Sequence, residues 1–595
     1  MAHDDFLLSH MNTLWPVLIV SELMKSGIDT YFVSPGNRNV PIMAALGAAE
    51  KVSVKTCLDE RAAAYRALGY AKAAGKPGVL VCTSGTAAAN YFPALIEAFR
   101  DEVPMIAWSA DRPPELVGAD ANQTIDQQGL FGRFVRKSFN LPCPDLDYPI
   151  SGLLARICDL ASVTDGPVHI NLPFREPLLP VPEKSHALQN IPAPVPFEAV
   201  EAAKRLMAQP NPRMHRMDAT AGFYCGSANR HPVMERVGEI LAGSRRGLLV
   251  VGRPGSRADA AAIMAVVEKW KWPIYCDIAS GLKGLTNAVF EVPFFDHPEA
   301  IRFVGDYDPD VIVQFGTALV SKAYYGPVLK GGIQAPGLIQ MSARKGLRDP
   351  SHSVDIRLDM TASQAVSMLS TAAPGRPEQS RISKLASGFE ALWKQIDRNT
   401  PDDTLSHPLI AKALFDQIPG NEVLFAGNSL VVRAFDMVLP PLGKPIDVVT
   451  NRGVSGIEGN VATAVGYAEA VGRRTTAVLG DISLLHDLNS LMLAAKSEIP
   501  VIVTVINNSG GRIFDRLPVA VFPGIPGDWV TMAHACSFEK AAGQFDLPYY
   551  RADDYSELHQ AYREALKYGG SALLEIRLSP EADLQVFRKR ITCKC

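Results

Sequence analysis

A chain of 595 residues exceeds what a single hydrophobic core supports, so two to four domains are expected. With 47% hydrophobic and 20% charged residues it has the make-up of an ordinary globular protein. A formal net charge of −3 and a pI near 6.5 exclude the broad basic footprint of a nucleic-acid binder, so any charge-dependent function must be local.

The first ten residues, M-A-H-D-D-F-L-L-S-H, carry early acids and no long apolar core, unlike a secretory signal. Strands are expected at residues 30–34, 52–58, 78–82 and 103–109, and the segment closes at G-P-V-H-I-N-L-P, 166–173. Helices are expected from about residue 40, over 60–74, and from 86 to about 100. This alternation predicts a parallel sheet covered on both faces. Residues 177–196 read as a Pro/Ala-rich linker and 207–231 as a loop or insertion. A second α/β pattern has strands at 248–251, 273–277 and 311–315, with a boundary near 371–378. A third begins near 406, with strands at 423–426, 447–450, 475–479 and 500–507, and helices starting near Asn428, Gly456 and His486. Three consecutive open parallel-sheet α/β domains follow, at 1–190, 191–390 and 391–595. Apolar runs such as 500–506 are strand-length, so the expectation is a soluble cytoplasmic protein without a membrane span. Nine scattered cysteines do not describe a disulfide framework, and Cys593 and Cys595 lack the partners of a zinc site.

The chemistry concentrates in the third pattern. Asp481 follows one strand and Asn508 another, 27 residues on, a spacing that fits one strand–helix–strand crossover to a neighbouring parallel strand. Both oxygen ligands then emerge at carboxyl ends of adjacent strands, where open α/β sheets bind ligands. A carboxylate, an amide oxygen and a nearby backbone carbonyl suit magnesium, with phosphate oxygens and water completing an octahedron. Gly510 and Gly511 let the backbone approach closely, and a helix N-terminus after Ser483 would add partial positive charge for phosphate. Either piece alone would pass for a helix cap and a turn. Gly252, Gly255 and Ser256 lack the G-x-G-x-x-G spacing of a dinucleotide loop, and His486 reads as packing or capping.

G-D-x(25)-N-N, present as Gly480, Asp481, Asn507 and Asn508, resembles the diphosphate–magnesium motif of the thiamine-diphosphate enzymes. Ile482, where most of them have glycine, is similar to the family of 2-succinyl-5-enolpyruvyl-6-hydroxy-3-cyclohexene-1-carboxylate synthases. So are S-P-G-N-R-N at 34–39, D-E-R-A-A-A at 59–64, C-T-S-G-T-A-A-A-N-Y at 82–91 and A-D-R-P-P-E at 110–115. N-Q-T-I-D-Q at 122–127, N-L-P-F-R-E-P-L at 171–178, G-N-S-L-V-V-R at 427–433, N-R-G-V-S-G-I at 451–457, L-H-D-L-N at 485–489 and N-N-S-G-G-R-I-F at 507–514 continue the match. Both outer domains are covered densely; the central one matches in outline, chiefly at G-T-A-L-V-S-K, 316–322.

The resemblance implies a first domain binding the cofactor's aminopyrimidine, a third binding its diphosphate, and active sites between subunits of a homodimer or homotetramer. It implies thiamine diphosphate with magnesium, for which manganese can substitute. The cofactor set would be Glu60, Ile457, Asp481, Ile482, Ser483, Asn508, Gly510 and Ile513, with Asp481, Asn508 and Gly510 on the metal. Glu60 would share a proton with the pyrimidine nitrogen and so activate the thiazolium carbon; by itself it reads as an acid opening a helix. Ile457 would prop the cofactor, and Ile513, Phe514 and Leu517 would wall the substrate pocket. The implied reaction decarboxylates 2-oxoglutarate and adds the resulting carbanion to isochorismate, a step of menaquinone biosynthesis. Dicarboxylates need cations, and the matching positions are Arg38, Arg112, Lys322, Arg433 and Arg452, with Gln123 and Ser429 as neutral donors. The alternative is a related decarboxylase or carboligase with a different acceptor. One departure bears on it: the family reads S-P-G-S-R or C-P-G-S-R where this chain has Asn37.

Overall fold

A computed structural model describes residues 8–180, 195–208, 232–317, 319–328, 337–344, 348–369, 374–398, 404–439, 444–581 and 583–584. Most of the expected linker, the insertion beyond residue 208, the boundary at 371–373 and the Cys593/Cys595 tail lie outside the described residues. The described chain falls into two compact units. One takes the chain up to residue 208 with Gly453–Gly472 and Asp487–Glu498; the other takes residue 232 to Arg452, Arg473–His486 and the chain from Ile499.

Six parallel strands form the frame of the first unit: β1 (Thr30–Val33), β2 (Ser53–Thr56), β3 (Gly78–Cys82), β4 (Met105–Asp111), β5 (Ser138–Asn140) and β6 (Pro167–Pro173). Their order is β2-β1-β3-β4-β6-β5. The apolar runs β3, β4 and β6 are buried along their whole length, as strands covered on both faces must be. Edge strand β2 is mostly exposed. The helix Glu60–Ala74 starts where Asp59 accepts from the N–H groups of Arg61 and Ala62, and it stops at Gly75, whose φ of 68° ends it. It packs on the helix Asn460–Val471 through two glycines. A methyl group at Gly69 would stand 2.0 Å from the Thr463 carbonyl oxygen, and one at Gly466 1.9 Å from that of Arg66. Arg66 then forks onto Glu469 at 3.0 and 2.6 Å.

The second unit holds two parallel sheets. The middle sheet contains β7 (Gly247–Val251), β8 (Ile274–Cys276), β9 (Val311–Phe315), β10 (Leu338–Met341) and β11 (Ile356–Leu358), ordered β11-β10-β9-β7-β8. The third contains β12 (Val423–Ala426), β13 (Asp447–Val449), β14 (Thr475–Gly480), β15 (Val501–Asn507), β16 (Tyr549–Ala552) and β17 (Ala572–Arg577), ordered β13-β12-β14-β15-β17-β16. A fully buried polar knot ties the two sheets. Asp436, on the helix Leu430–Met437, accepts from the Tyr275 hydroxyl at 2.6 Å and the Ile278 N–H at 2.9 Å, with Lys283 Nζ 3.6 Å away.

Each sheet has a point where the strand order reverses: β1/β3, β7/β9 and β12/β14. Outside the carboxyl ends of such strands an open α/β sheet has its crevice. At β12/β14 the segments that emerge are Gly427–Asn428–Ser429 and Asp481–Ile482.

Two expectations change. The helix expected from 86 to about 100 is two, Thr86–Ala89 and Phe92–Asp101, because Pro93 has no N–H to continue a ladder and is accepted only in a first turn. His486 closes the helix Asp481–His486 instead of opening one, and that helix begins at Asp481, so Ser483 lies within it and not before it. Strands β5, β6, β10, β11, β16 and β17 were not anticipated.

Candidate active site

In the third sheet, β14 and β15 run in register with Gly480 opposite Ile506, so Asp481 and Asn508 leave neighbouring strand ends. Both are buried, at 2% and 5% exposure. The Asp481 carboxylate accepts from the Ile482 N–H at 2.7 Å and the Gly510 N–H at 2.8 Å. Burial pushes its carboxyl up, against those two donors and His534, whose Nε2 lies 3.3 Å away. Asn507 is spent on structure: its amide donates to Glu575 at 2.7 Å and its oxygen accepts from Ser509 at 3.0 Å. Gly510 has φ 137°, and a Cβ there would stand 2.6 Å from the Thr531 carbonyl, so only glycine fits. A desolvated carboxylate beside a buried amide and a close-packed backbone is the hard oxygen set that a magnesium ion accepts. Among the described residues no cluster of three or more His, Cys, Asp or Glu side chains could hold a metal, so most ligands of a cation at Asp481 would be amide, carbonyl, water or cofactor oxygens.

Across the switch point, Ser429 adopts φ 69° as it starts the helix Leu430–Met437, a conformation costly for a residue with a Cβ and therefore a pointer to function. Arg433 Nη1 donates to the Ser429 carbonyl. Arg452 donates to the Asn428 side-chain oxygen at 3.0 Å, and the Asn428 amide donates to the Asn451 carbonyl at 2.9 Å. Burial and the Arg452 guanidinium push Arg433 down from the usual arginine range.

A cavity of about 320 Å³ lies next to this helix. It brings together four residues named from sequence, Lys322, Arg433, Ile513 and Leu517. It also contains residues that sequence reasoning missed: Asp296, His407, Arg516 and Asp583. Asp583 accepts from the His407 backbone N–H at 3.1 Å, pairs with His407 Nδ1 at 3.0 Å and with Arg516 Nη2. Burial would push the Asp583 carboxyl up, but His407 and Arg516 outweigh it and hold it well below the usual carboxylate range.

Glu60, Arg38, Arg112, Gln123 and Ile457 belong to the first unit. Glu60 is the half-buried first residue of its helix. Arg38 is 2% exposed and donates to the Phe174 carbonyl at 2.9 Å and Glu176 Oε1 at 3.1 Å. The Asp111 carboxyl, at the end of β4, is pushed up to about 6 by burial, with Arg38 acting against the rise; it accepts from the Arg112 backbone N–H at 2.7 Å. Gln123, at φ 56°, is exposed, and its amide donates to the Ser84 carbonyl at 3.1 Å while the Ser84 hydroxyl donates to its carbonyl at 3.0 Å. Ile457 is half-buried, its carbonyl accepting from Asn460 at 2.8 Å. Its loop is gripped by Glu97, which takes the N–H groups of Gly453 and Val454 at 2.7 and 2.6 Å.

Residues 17–130 match the family described as thiamine pyrophosphate enzyme, N-terminal TPP binding domain, and residues 437–576 match the corresponding C-terminal TPP binding domain. The chain is a thiamine pyrophosphate enzyme, with both cofactor-binding domains on one polypeptide. A 2-succinyl-5-enolpyruvyl-6-hydroxy-3-cyclohexene-1-carboxylate synthase from Syntrophus aciditrophicus is 49% identical over 98% of both chains. Synthases of the same name from Chlorobaculum parvum and Rubrobacter xylanophilus are 36% and 34% identical over 97% of this chain and 96% and 97% of theirs. The chain belongs to the family of 2-succinyl-5-enolpyruvyl-6-hydroxy-3-cyclohexene-1-carboxylate synthases.

Proposed function

We propose that this chain decarboxylates 2-oxoglutarate and joins the resulting four-carbon carbanion to isochorismate, releasing carbon dioxide and 2-succinyl-5-enolpyruvyl-6-hydroxy-3-cyclohexene-1-carboxylate for menaquinone biosynthesis. The observation that carries the reading is the cavity that gathers Lys322 and Arg433 against the apolar Ile513 and Leu517, in a chain whose relatives bear that synthase's name. Thiamine diphosphate, when bound, supplies the nucleophilic carbon and the electron sink that decarboxylation of a 2-oxo acid requires.

The chain's own residues do the rest. Asp481, Asn508 and the Gly510 carbonyl hold magnesium, or manganese in its place, with Ile482 and Ser483 beside the diphosphate. Ile457 and Ile513 support the cofactor, and Glu60 holds a proton at the pyrimidine nitrogen. Arg38, Arg112, Gln123, Lys322, Ser429, Arg433 and Arg452 bind and orient the carboxylates. Residues 1–190 form the pyrimidine-binding domain, 191–390 a central domain and 391–595 the diphosphate-binding domain of a cytoplasmic homodimer or homotetramer with active sites between subunits. No described helix is long and apolar enough to cross a membrane.

Purified protein with thiamine diphosphate, magnesium, 2-oxoglutarate and isochorismate should release carbon dioxide and yield a product of the expected mass. Carbon dioxide without an isochorismate adduct would assign a different acceptor; no release would overturn the reading.

A further inference from the structure

We infer that Arg516 is a specificity-determining residue of this cavity, gripping the carboxylate that a dicarboxylic 2-oxo acid keeps after decarboxylation, with Asp583 and His407 as its positioning residues. The inference rests on the donor reading above and deepens it. Local structure places Arg516 first. Residues Arg512–Arg516 form a 3₁₀ turn, in which side chains three apart eclipse one another, so Ile513 and Arg516 share a face, and both line the cavity.

The Arg516 side chain is only 13% exposed, and it is held rather than loose. Asp583 engages it through Nη2 at Oδ2, the oxygen that the His407 ring also meets, while the His407 backbone N–H donates to Oδ1. An arginine whose plane is fixed loses less side-chain freedom on gripping a carboxylate, so its hydrogen bonds cost less to form. Charge points the same way. Among the described residues that line the cavity, three cations (Lys322, Arg433, Arg516) stand against two carboxylates (Asp296, Asp583). Asp583 already has His407 and Arg516 as partners, so the lining carries an excess of positive charge before any ligand enters.

A 2-oxo dicarboxylate brings two carboxylates with opposite needs. The one beside the keto carbon must leave as carbon dioxide, and a strong grip on it would stabilise the ground state. The distal one persists through the reaction and can be held throughout, which is uniform binding that sets substrate choice. Arg433 stands on the helix that begins at the switch point, bonded back to Ser429. Arg516 is tied instead to the far C-terminal segment, which suits the end of the substrate that does not react.

The test compares carbon dioxide release from 2-oxoglutarate and from 2-oxopentanoate, which has the same chain length without the distal carboxylate, using the full-length holoenzyme. Arg516→Gln should lower kcat/KM for 2-oxoglutarate about 10–100-fold, chiefly through KM, the scale of a lost charge-assisted hydrogen bond. It should leave 2-oxopentanoate within about threefold. Arg516→Lys should recover part of the loss, and Asp583→Asn, which keeps the cation but loosens its hold, should fall between; these two carry the same discrimination if Arg516→Gln does not fold. Equal losses on both substrates, or an unchanged ratio, would overturn the inference while leaving the function standing. A wild type that takes no 2-oxoglutarate overturns the functional reading, and this inference with it.

Discussion

The middle and third sheets have the same kind of strand reversal and use it differently. At β7/β9 the emerging loops close on each other. Arg253 N–H donates to the Thr317 carbonyl at 3.2 Å, a methyl group at Gly252 would stand 2.5 Å from that carbonyl oxygen, and one at Gly316 2.3 Å from that of Arg253. At β12/β14 the chain places a strained Ser429, a buried Asp481 and the start of a helix. Topology supplies a crevice in both; the residues that leave the strands decide whether chain or ligand fills it. Glycines meet a neighbouring backbone in the middle sheet. A buried carboxylate, a buried amide and two arginines, Arg433 and Arg452, stand at the strand ends in the third.

The sharpest way to break that contrast is Asp481→Ala. It should weaken magnesium-dependent thiamine diphosphate binding by more than about 10²-fold, the upper scale for losses around a metal site, while far-UV circular dichroism stays unchanged. Calorimetric titration showing wild-type cofactor affinity would remove Asp481 from the metal set. Gly316→Ala is the matching change in the middle sheet. At φ 71°, with its Cβ against the Arg253 carbonyl, it should cost stability by about 1–3 kcal/mol, the scale of a strained backbone position, with cofactor affinity of the folded protein unchanged. Lost affinity at an unchanged melting temperature would make the middle crevice a site after all.

How much of this could be read from sequence follows from what each part is made of. The central strands are continuous apolar runs, such as G-V-L-V-C at β3 and V-I-V-T-V-I-N at β15, and they appear where expected. Those that went unread are short or interrupted. β5 is three residues with an exposed–intermediate–exposed pattern. β17, A-L-L-E-I-R, hides behind Glu575, which is fully buried because Asn507 and Tyr549 donate to it. The Asp481–Asn508 pair was legible because one crossover sets its spacing. His407 and Asp583 stand 176 residues apart, and no local pattern joins them. Arg516 had one usable signal, its three-residue spacing from Ile513.

That His407–Asp583–Arg516 cluster sharpens the comparison further, being fastened by charge where the strand ends are fastened by backbone. The folded-state carboxyl of Asp583 is depressed, so its contribution to stability is present above the unfolded value and is lost as pH falls through the folded one. Below about pH 4, the ordinary carboxylate value, the wild type should therefore lose stability with falling pH more steeply than Asp583→Asn does. Parallel denaturation curves for the two from about pH 5 to pH 2 would show that the cluster contributes nothing through its charge.

The smallest effect is expected at the first sheet's own reversal, β1/β3, where Asn37 stands at the position for which the sequence resemblance implies serine. An amide is larger than a hydroxyl and offers two donors as well as an acceptor, and a misfit of about 1 Å at a reacting centre can cost on the order of 10²-fold. The turn shows why that cost is not expected here. Its fastening belongs to buried Asn39, whose oxygen accepts from the Gly36 N–H at 2.9 Å and whose amide donates to the Ser34 carbonyl at 2.9 Å. Asn37 is exposed and contributes its backbone carbonyl to the Val40 N–H at 3.2 Å, an interaction that any residue preserves. The neighbouring Arg38 is locked by Phe174 and Glu176 whatever occupies position 37. Asn37→Ser should then leave isochorismate turnover within about tenfold of wild type, on the scale of one hydrogen bond gained or lost. A wild type that ignores isochorismate beside an Asn37→Ser variant that consumes it would show that this turn, and not the cations around it, selects the acceptor.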